Sequence, residues 1–121
     1  HMCGNSDVEY HQEVLKKGTF ISFDRFGLNI FMPDTIRTNT LIDLLGKGYE
    51  KQIMLSHDYI INWLGRDFGS LLPEAALPLV ADWNLTNIFK NILPALKEAN
   101  ITDKQINTLM VDNPRRFFAG E

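Results

Sequence analysis

The sequence predicts an α/β fold with parallel strands, and an incomplete one. Two short runs rich in β-branched, aromatic and aliphatic residues, at 19–23 and 52–56, read as strands, and a segment with helical apolar spacing lies beyond each. Strands that alternate with helices are joined by crossovers and lie parallel. A third observation limits the class. A parallel sheet needs both faces covered and more neighbours than two strands provide, so the chain reads as part of something larger.

Each element has its own signal. Ser6 and Asp7 offer polar caps to a helix over about 7–17 that carries Val8, Val14 and Leu15, and Gly18 closes it. The first strand is expected at about 19–24, with Asp24, Arg25, Phe26 and Gly27 at its C-terminal end. Pro33 and Asp34 open a helix over about 34–46, Asp34 as its cap, with Ile36, Leu41, Leu44 and Leu45 on one face and Gly46 and Gly48 ending it. The second strand is expected at about 52–57, with His57 and Asp58 at its end. A long loop follows over 59–82, punctuated by Gly65, Gly69, Pro73 and Pro78, with room for a short helical turn; loops of this length are functional or disordered. Ile88, Phe89, Ile92, Leu93 and Leu96 mark an amphipathic helix over about 86–99, which Pro94 should kink or break. Thr102 and Gln105 form a capping-box pattern before a last helix over about 103–111, which Asn113-Pro114 should end. Phe117 and Phe118 are expected to tuck the tail onto the core.

Composition excludes more than it selects. The 121 residues are 45% hydrophobic and 22% charged, an ordinary globular balance for one modest core. A formal net charge of −3 argues against a nucleic-acid surface, and Lys16-Lys17 and Arg115-Arg116 read as solvated helix ends. No apolar run approaches a membrane span and no leader pattern is present. A single cysteine, Cys3, excludes an internal disulfide and fits a reducing cytoplasm. His1-Met2 is read as a cloning scar outside the fold, which leaves 3–121 as one unit.

Three separated stretches carry a resemblance. Phe23-Asp24-Arg25-Phe26-Gly27-Leu28 is followed by Gly48-Tyr49 and then Ile53-Met54-Leu55-Ser56-His57-Asp58-Tyr59. The tail holds Ile88-Phe89, Ile92, Pro94-Ala95-Leu96 and Asn113-Pro114-Arg115-Arg116-Phe117-Phe118. Together they resemble the last two βα units and closing helices of phosphotriesterase-like lactonases, in the phosphotriesterase-related group of the amidohydrolase superfamily. The resemblance implies strands seven and eight of a TIM (β/α)8 barrel, with six strands absent. It implies a parent hydrolase that attacks a lactone or phosphotriester with a metal-bound hydroxide, zinc being the expected divalent ion.

The resemblance also distributes roles. Asp58 matches the position of a metal-binding carboxylate that takes part in proton transfer, as a hard anionic oxygen can. Its other reading is a loop or capping aspartate. Arg25 is either a substrate-side residue or the partner of an acid, Asp24 or one from a neighbouring strand. Tyr59 and Trp63 line a substrate pocket or pack the loop. His57 should face away from Asp58, because successive strand residues alternate. His11 is expected on a solvated helix face. The family's metal-ligand histidine near Cys3-Gly4 falls by this register on Met2, one residue after His1. The remaining ligands are absent, so the chain alone is expected to hold no metal tightly and to be inactive. The alternative is a non-catalytic fragment or assembly unit, expected to form a homo-oligomer through unpaired strand edges.

Overall fold

A computed structural model describes residues 1–120; Glu121, the last residue of the expected unit, lies outside the described residues. A 3-10 turn, Met2–Gly4, precedes α1 (Val8–Leu15), β1 (Ile21–Phe23) and α2 (Asp34–Gly46). A second 3-10 turn, Glu50–Gln52, leads into β2 (Ile53–Leu55). The strands pair parallel in the register Ile21↔Ile53, Ser22↔Met54 and Phe23↔Leu55, so both C-terminal ends emerge together. Ile21, Phe23, Ile53 and Leu55 point into a core shared with Leu15, Leu41, Leu44, Ile88, Leu96 and Leu109. Both strands are three residues long, shorter than the apolar runs that announce them.

The helices differ from expectation in instructive places. Asp7 caps α1 through the amides of Glu9 and Tyr10. His11 is fully buried rather than solvated: it sits one turn before Leu15 on the inward face, its ring tilted against Phe23 at 5.7 Å, with Nδ1 2.6 Å from the Asp7 carbonyl and Nε2 3.0 Å from that of Met2. In α2 the inward face is Arg37, Thr38, Thr40, Leu41, Leu44 and Leu45, while Ile36 is exposed. Asp34 does not cap the helix: Pro33 holds the capping position, and the Asp34 carboxylate turns to other partners.

The loop over 59–82 is structured. It contains a hairpin of β3 (Asn62–Trp63) and β4 (Arg66–Asp67), then 3-10 segments Gly69–Leu71 and Glu74–Val80. Leu64 and Gly65 both have positive φ, 51° and 77°, as a tight two-residue hairpin turn requires.

Both late prolines are accommodated the same way. A π-helical turn, Ile88–Ile92, runs into α3 (Leu93–Glu98) with Pro94 in the first turn of that helix. After α4 (Asp103–Asn107), capped by the Thr102–Gln105 box, a π-helical turn Thr108–Asp112 runs into α5 (Asn113–Ala119), with Pro114 again in the first turn. Pro has no amide hydrogen to give the preceding turn, and the wider π register absorbs that loss. Pro114 therefore does not end the helix. Phe117 and Phe118 do not bury: Phe118 is 86% exposed, and Phe117 rests edge-on against Phe20. Arg116 is not simply solvated, since it donates to the Lys51 carbonyl and lies 5.4 Å over the Phe20 ring. No helix among the described residues is long and apolar enough to cross a membrane.

Candidate active site

The parallel register brings the residues after β1 and β2 to one corner. Arg25 Nε donates to Asp58 Oδ2 at 3.2 Å. Of the acids named as partners for Arg25, the one it contacts is that of the neighbouring strand rather than Asp24. The Arg25 guanidinium also lies 5.4 Å from the Phe31 ring centre, an arrangement that orients its face. Asp58 has φ 49°, a left-handed conformation that aspartate tolerates better than most residues. It lies three residues beyond Leu55, so strand alternation no longer governs it; the backbone turn at Asp58 aims its carboxylate at Arg25.

His57 takes the other direction. Its ring lies 6.4 Å from Phe89, beside the helix that follows. Burial pushes its pKa below the ordinary 6.5, and Nε2 is buried with no hydrogen-bond partner among the described residues.

His1, read from sequence as a scar, reaches the same corner. Its Nδ1 donates to Asp24 Oδ2 at 2.8 Å and lies 3.7 Å from Asp58 Oδ2. Asp24 in turn accepts from Cys3 Sγ at 3.4 Å. Cys3 is fully buried and burial pushes its thiol pKa up, the reverse of what a nucleophile needs.

An apolar cavity of about 300 Å³ opens beside the corner, lined by Arg25, Asp58, Phe31, Ile60, Trp63 and Trp83 among others. Tyr59 lines a neighbouring cavity of about 190 Å³ instead, its ring edge-on to Trp83 at 5.5 Å. Of the two aromatics singled out from sequence, Trp63 therefore shares a cavity with the Arg25–Asp58 pair and Tyr59 stands one layer away. A larger cavity, about 810 Å³, lies between α2 and the 88–98 helix and includes none of these residues. Size alone does not mark the chemistry here, because a groove between helices holds no convergent charged pair.

Sequence reasoning missed Trp83. Its indole Nε1 donates to the His57 carbonyl at 2.8 Å, it stacks edge-on with Tyr59 and Phe68, and it lines both small cavities. The available signal was size: a tryptophan closing a long loop has few places to go but inward.

Asp58 and His1 are metal-competent donors, but a catalytic zinc takes about three protein ligands. Among the described residues no group of three or more His, Cys, Asp or Glu side chains is disposed to hold a metal ion. The donors present thus fall short of a complete metal site.

Fold and site together define an α/β protein whose charged cluster sits at the C-terminal ends of parallel strands, where βα units carry their ligand sites. The sequence profile of the phosphotriesterase family matches residues 1–118, and the chain belongs to that family. The matched span includes His1 and Met2. The chain is 34% identical over 119 residues to an aryldialkylphosphatase of Saccharolobus solfataricus, covering 98% of this chain and 37% of that protein. It is 28% identical to a phospho-furanose lactonase of Mycoplasmopsis synoviae, covering 98% of this chain and 32% of the other. Among solved structures, an organophosphorus hydrolase from Deinococcus radiodurans superposes with a TM-score of 0.89 at 46% identity, over 98% of this chain and 36% of its own. The chain spans about a third of the length of the relatives it matches.

Proposed function

We propose that the chain is the C-terminal part of a metal-dependent hydrolase of lactones or phosphotriesters, comprising the last two βα units of a (β/α)8 barrel. The observation that carries this reading is the Arg25 Nε–Asp58 Oδ2 contact of 3.2 Å in the lining of an apolar cavity, in a chain of the phosphotriesterase family. A positively charged donor beside a carboxylate suits an ester or phosphotriester, whose carbonyl or phosphoryl oxygen gains negative charge as it is attacked. In this reading Asp58 accepts the proton of the attacking water, Arg25 faces the substrate oxygen, and Trp63 and the cavity wall hold the apolar part of the substrate; Tyr59 supports Trp83 from behind.

In a complete parent, a divalent metal, zinc in the first instance, would supply an activated hydroxide, and Asp58 would be one of its ligands. The spacing of His1 from Asp58, 3.7 Å, favours His1 as a second ligand rather than a scar. Two donors do not make the site, so the isolated chain binds zinc weakly and does not turn over substrate. The test is a chimera in which this chain replaces the matching third of the Deinococcus radiodurans organophosphorus hydrolase. Metal-dependent lactone or phosphotriester hydrolysis by the chimera, lost on Asp58→Ala, supports the reading. Undiminished hydrolysis in Asp58→Ala overturns it.

A second reading, a non-catalytic assembly unit, is favoured by one observation. Within the described residues β1 and β2 pair only with each other, so each presents an open edge to a further strand. A homo-oligomer would cover those edges.

A further inference from the structure

We propose that Asp34 is a positioning residue for the Arg25–Asp58 pair, holding the two strand-end loops in register through one carboxylate. Four contacts converge on it. The Gly27 amide donates to both of its oxygens, at 2.7 and 2.9 Å. Arg37 Nη1 donates to Oδ1 at 2.7 Å, and Asn87 Nδ2 donates to Oδ2 at 3.0 Å. Gly27 belongs to the loop after β1, Arg37 to α2, and Asn87 to the end of the loop after β2. One acid at the start of α2 therefore ties its own helix and the loop after β1 to Asn87, at the end of the loop after β2.

Each tie leads to the site. Arg25 through Leu28 form a turn closed by the Leu28 amide donating to the Arg25 carbonyl at 3.1 Å. Asp34 fixes that turn by its Gly27 amide, and Arg37 fixes it again, Nη2 donating to the Leu28 carbonyl at 2.8 Å. Arg37 is fully buried and Asn87 nearly so, which makes these bonds costly to leave unmade. On the other side, Gly27 has φ 91° and abuts the second loop: a Cβ there would overlap the Asp82 carbonyl oxygen and lie 2.5 Å from Trp83 Cα. Trp83 then holds the His57 carbonyl, one residue before Asp58. The path from Asp34 thus reaches Arg25 through the turn and Asp58 through Trp83. Apart from the Asp58 carboxylate, which Arg25 reaches directly, no other carboxylate among the described hydrogen bonds joins the two loops. The proposal rests on the reading of Arg25 and Asp58 as the reactive corner, but its readouts are positional and require no hydrolysis.

The test uses the 121-residue chain carrying Trp63→Phe, which leaves Trp83 as its only indole. Asp34→Asn keeps the side chain's shape while turning an amide group toward donors. Asp43→Asn, an exposed acid on the same helix, makes the same change of charge elsewhere. Two signals are read: acrylamide quenching of Trp83 fluorescence, and hydrogen exchange of the Arg25 Nε–H in ¹⁵N–¹H spectra, assigned through Arg25→Lys. Asp34→Asn is expected to raise the quenching constant about twofold and the Arg25 Nε–H exchange rate about tenfold, with helix content retained and Asp43→Asn unchanged. Both signals unmoved in a folded Asp34→Asn, or moved equally by Asp43→Asn, would overturn the proposal. Should Asp34→Asn not fold, Asn87→Ala removes the tie to the second loop together with the bond that Asn91 Nδ2 donates to Asn87 Oδ1, and Asn91→Ala, which removes only the latter, is the control. A rise in Trp83 quenching in Asn87→Ala but not in Asn91→Ala supports the proposal; an unchanged value in folded Asn87→Ala, or an equal rise in Asn91→Ala, overturns it.

Discussion

Arg25 and Asp58, 33 residues apart, meet through a single Nε–H···Oδ2 bond because β1 and β2 run parallel with Phe23 opposite Leu55. Neither side chain is deeply buried, so the pair contributes at most about 1 kcal/mol to stability. Its significance is orientation. Arg25 is held by Asp58 on one side and by the Phe31 ring on the other, and Asp58 is presented toward the cavity by a left-handed backbone.

In the active chimera described above, Asp58→Asn should lower kcat/KM by about 10²–10⁴-fold, the range for losing a proton-accepting group. His57→Gln should change it by less than about threefold, because the His57 ring packs beside Phe89 and away from Arg25. Initial-rate kinetics on both variants, with circular dichroism as a folding check, measure this. Comparable losses in the two would mean that His57 also serves the reaction.

Gly27→Ala should destabilise the chain by about 2–4 kcal/mol, combining strain at positive φ with overpacking against another backbone segment. The overlap is with the Asp82 carbonyl rather than with a flexible side chain, so little can give way. Urea denaturation followed by circular dichroism gives the value. By contrast Gly48→Ala, at φ 85° but with open space where the methyl would go, should cost only about 1–2 kcal/mol.

His57 should make stability depend on pH on the acid side. Burial lowers its folded-state pKa below the ordinary 6.5, so the native state prefers the neutral ring. Above the unfolded value the contribution is fully present. As pH falls through that value the unfolded chain takes the proton first, and the contribution is lost as pH falls through the lowered folded value. The urea midpoint measured from about pH 7.5 to about pH 5 should fall less steeply in His57→Gln than in the parent sequence. Parallel curves would show that the ring is solvated in the native state.

If the open strand edges draw copies together, sedimentation equilibrium at micromolar concentration will show a dimer or higher species, and a charged substitution on a core-facing strand residue such as Ile21→Lys will not be needed to see it. A purely monomeric chain that binds no apolar dye would show that the helices and the 59–82 segment already close the exposed surface, and the assembly reading would fall.

Much of this protein was legible in the chain. Apolar period and β-branched content announced β1, β2, α1 and α2, and the Thr102–Gln105 box announced α4, because these signals act between near neighbours in sequence. The family resemblance stood on motifs that lie at the strand ends, Arg25 and Asp58 among them. What the sequence could not decide was every relationship that depends on long-range packing. His11 looked polar and is buried, because α1 turns that face toward Phe23. Pro114 looked like a stop and is not, because a π turn precedes it. His1 looked extraneous and lies 3.7 Å from Asp58, and Asp34 looked like a helix cap and instead joins two loops. Local propensity fixes how each segment folds upon itself. Only the parallel register and the close approach of Gly27 to the 82–83 backbone decide which side chains meet, because those contacts join segments too far apart in sequence for either one to encode the other.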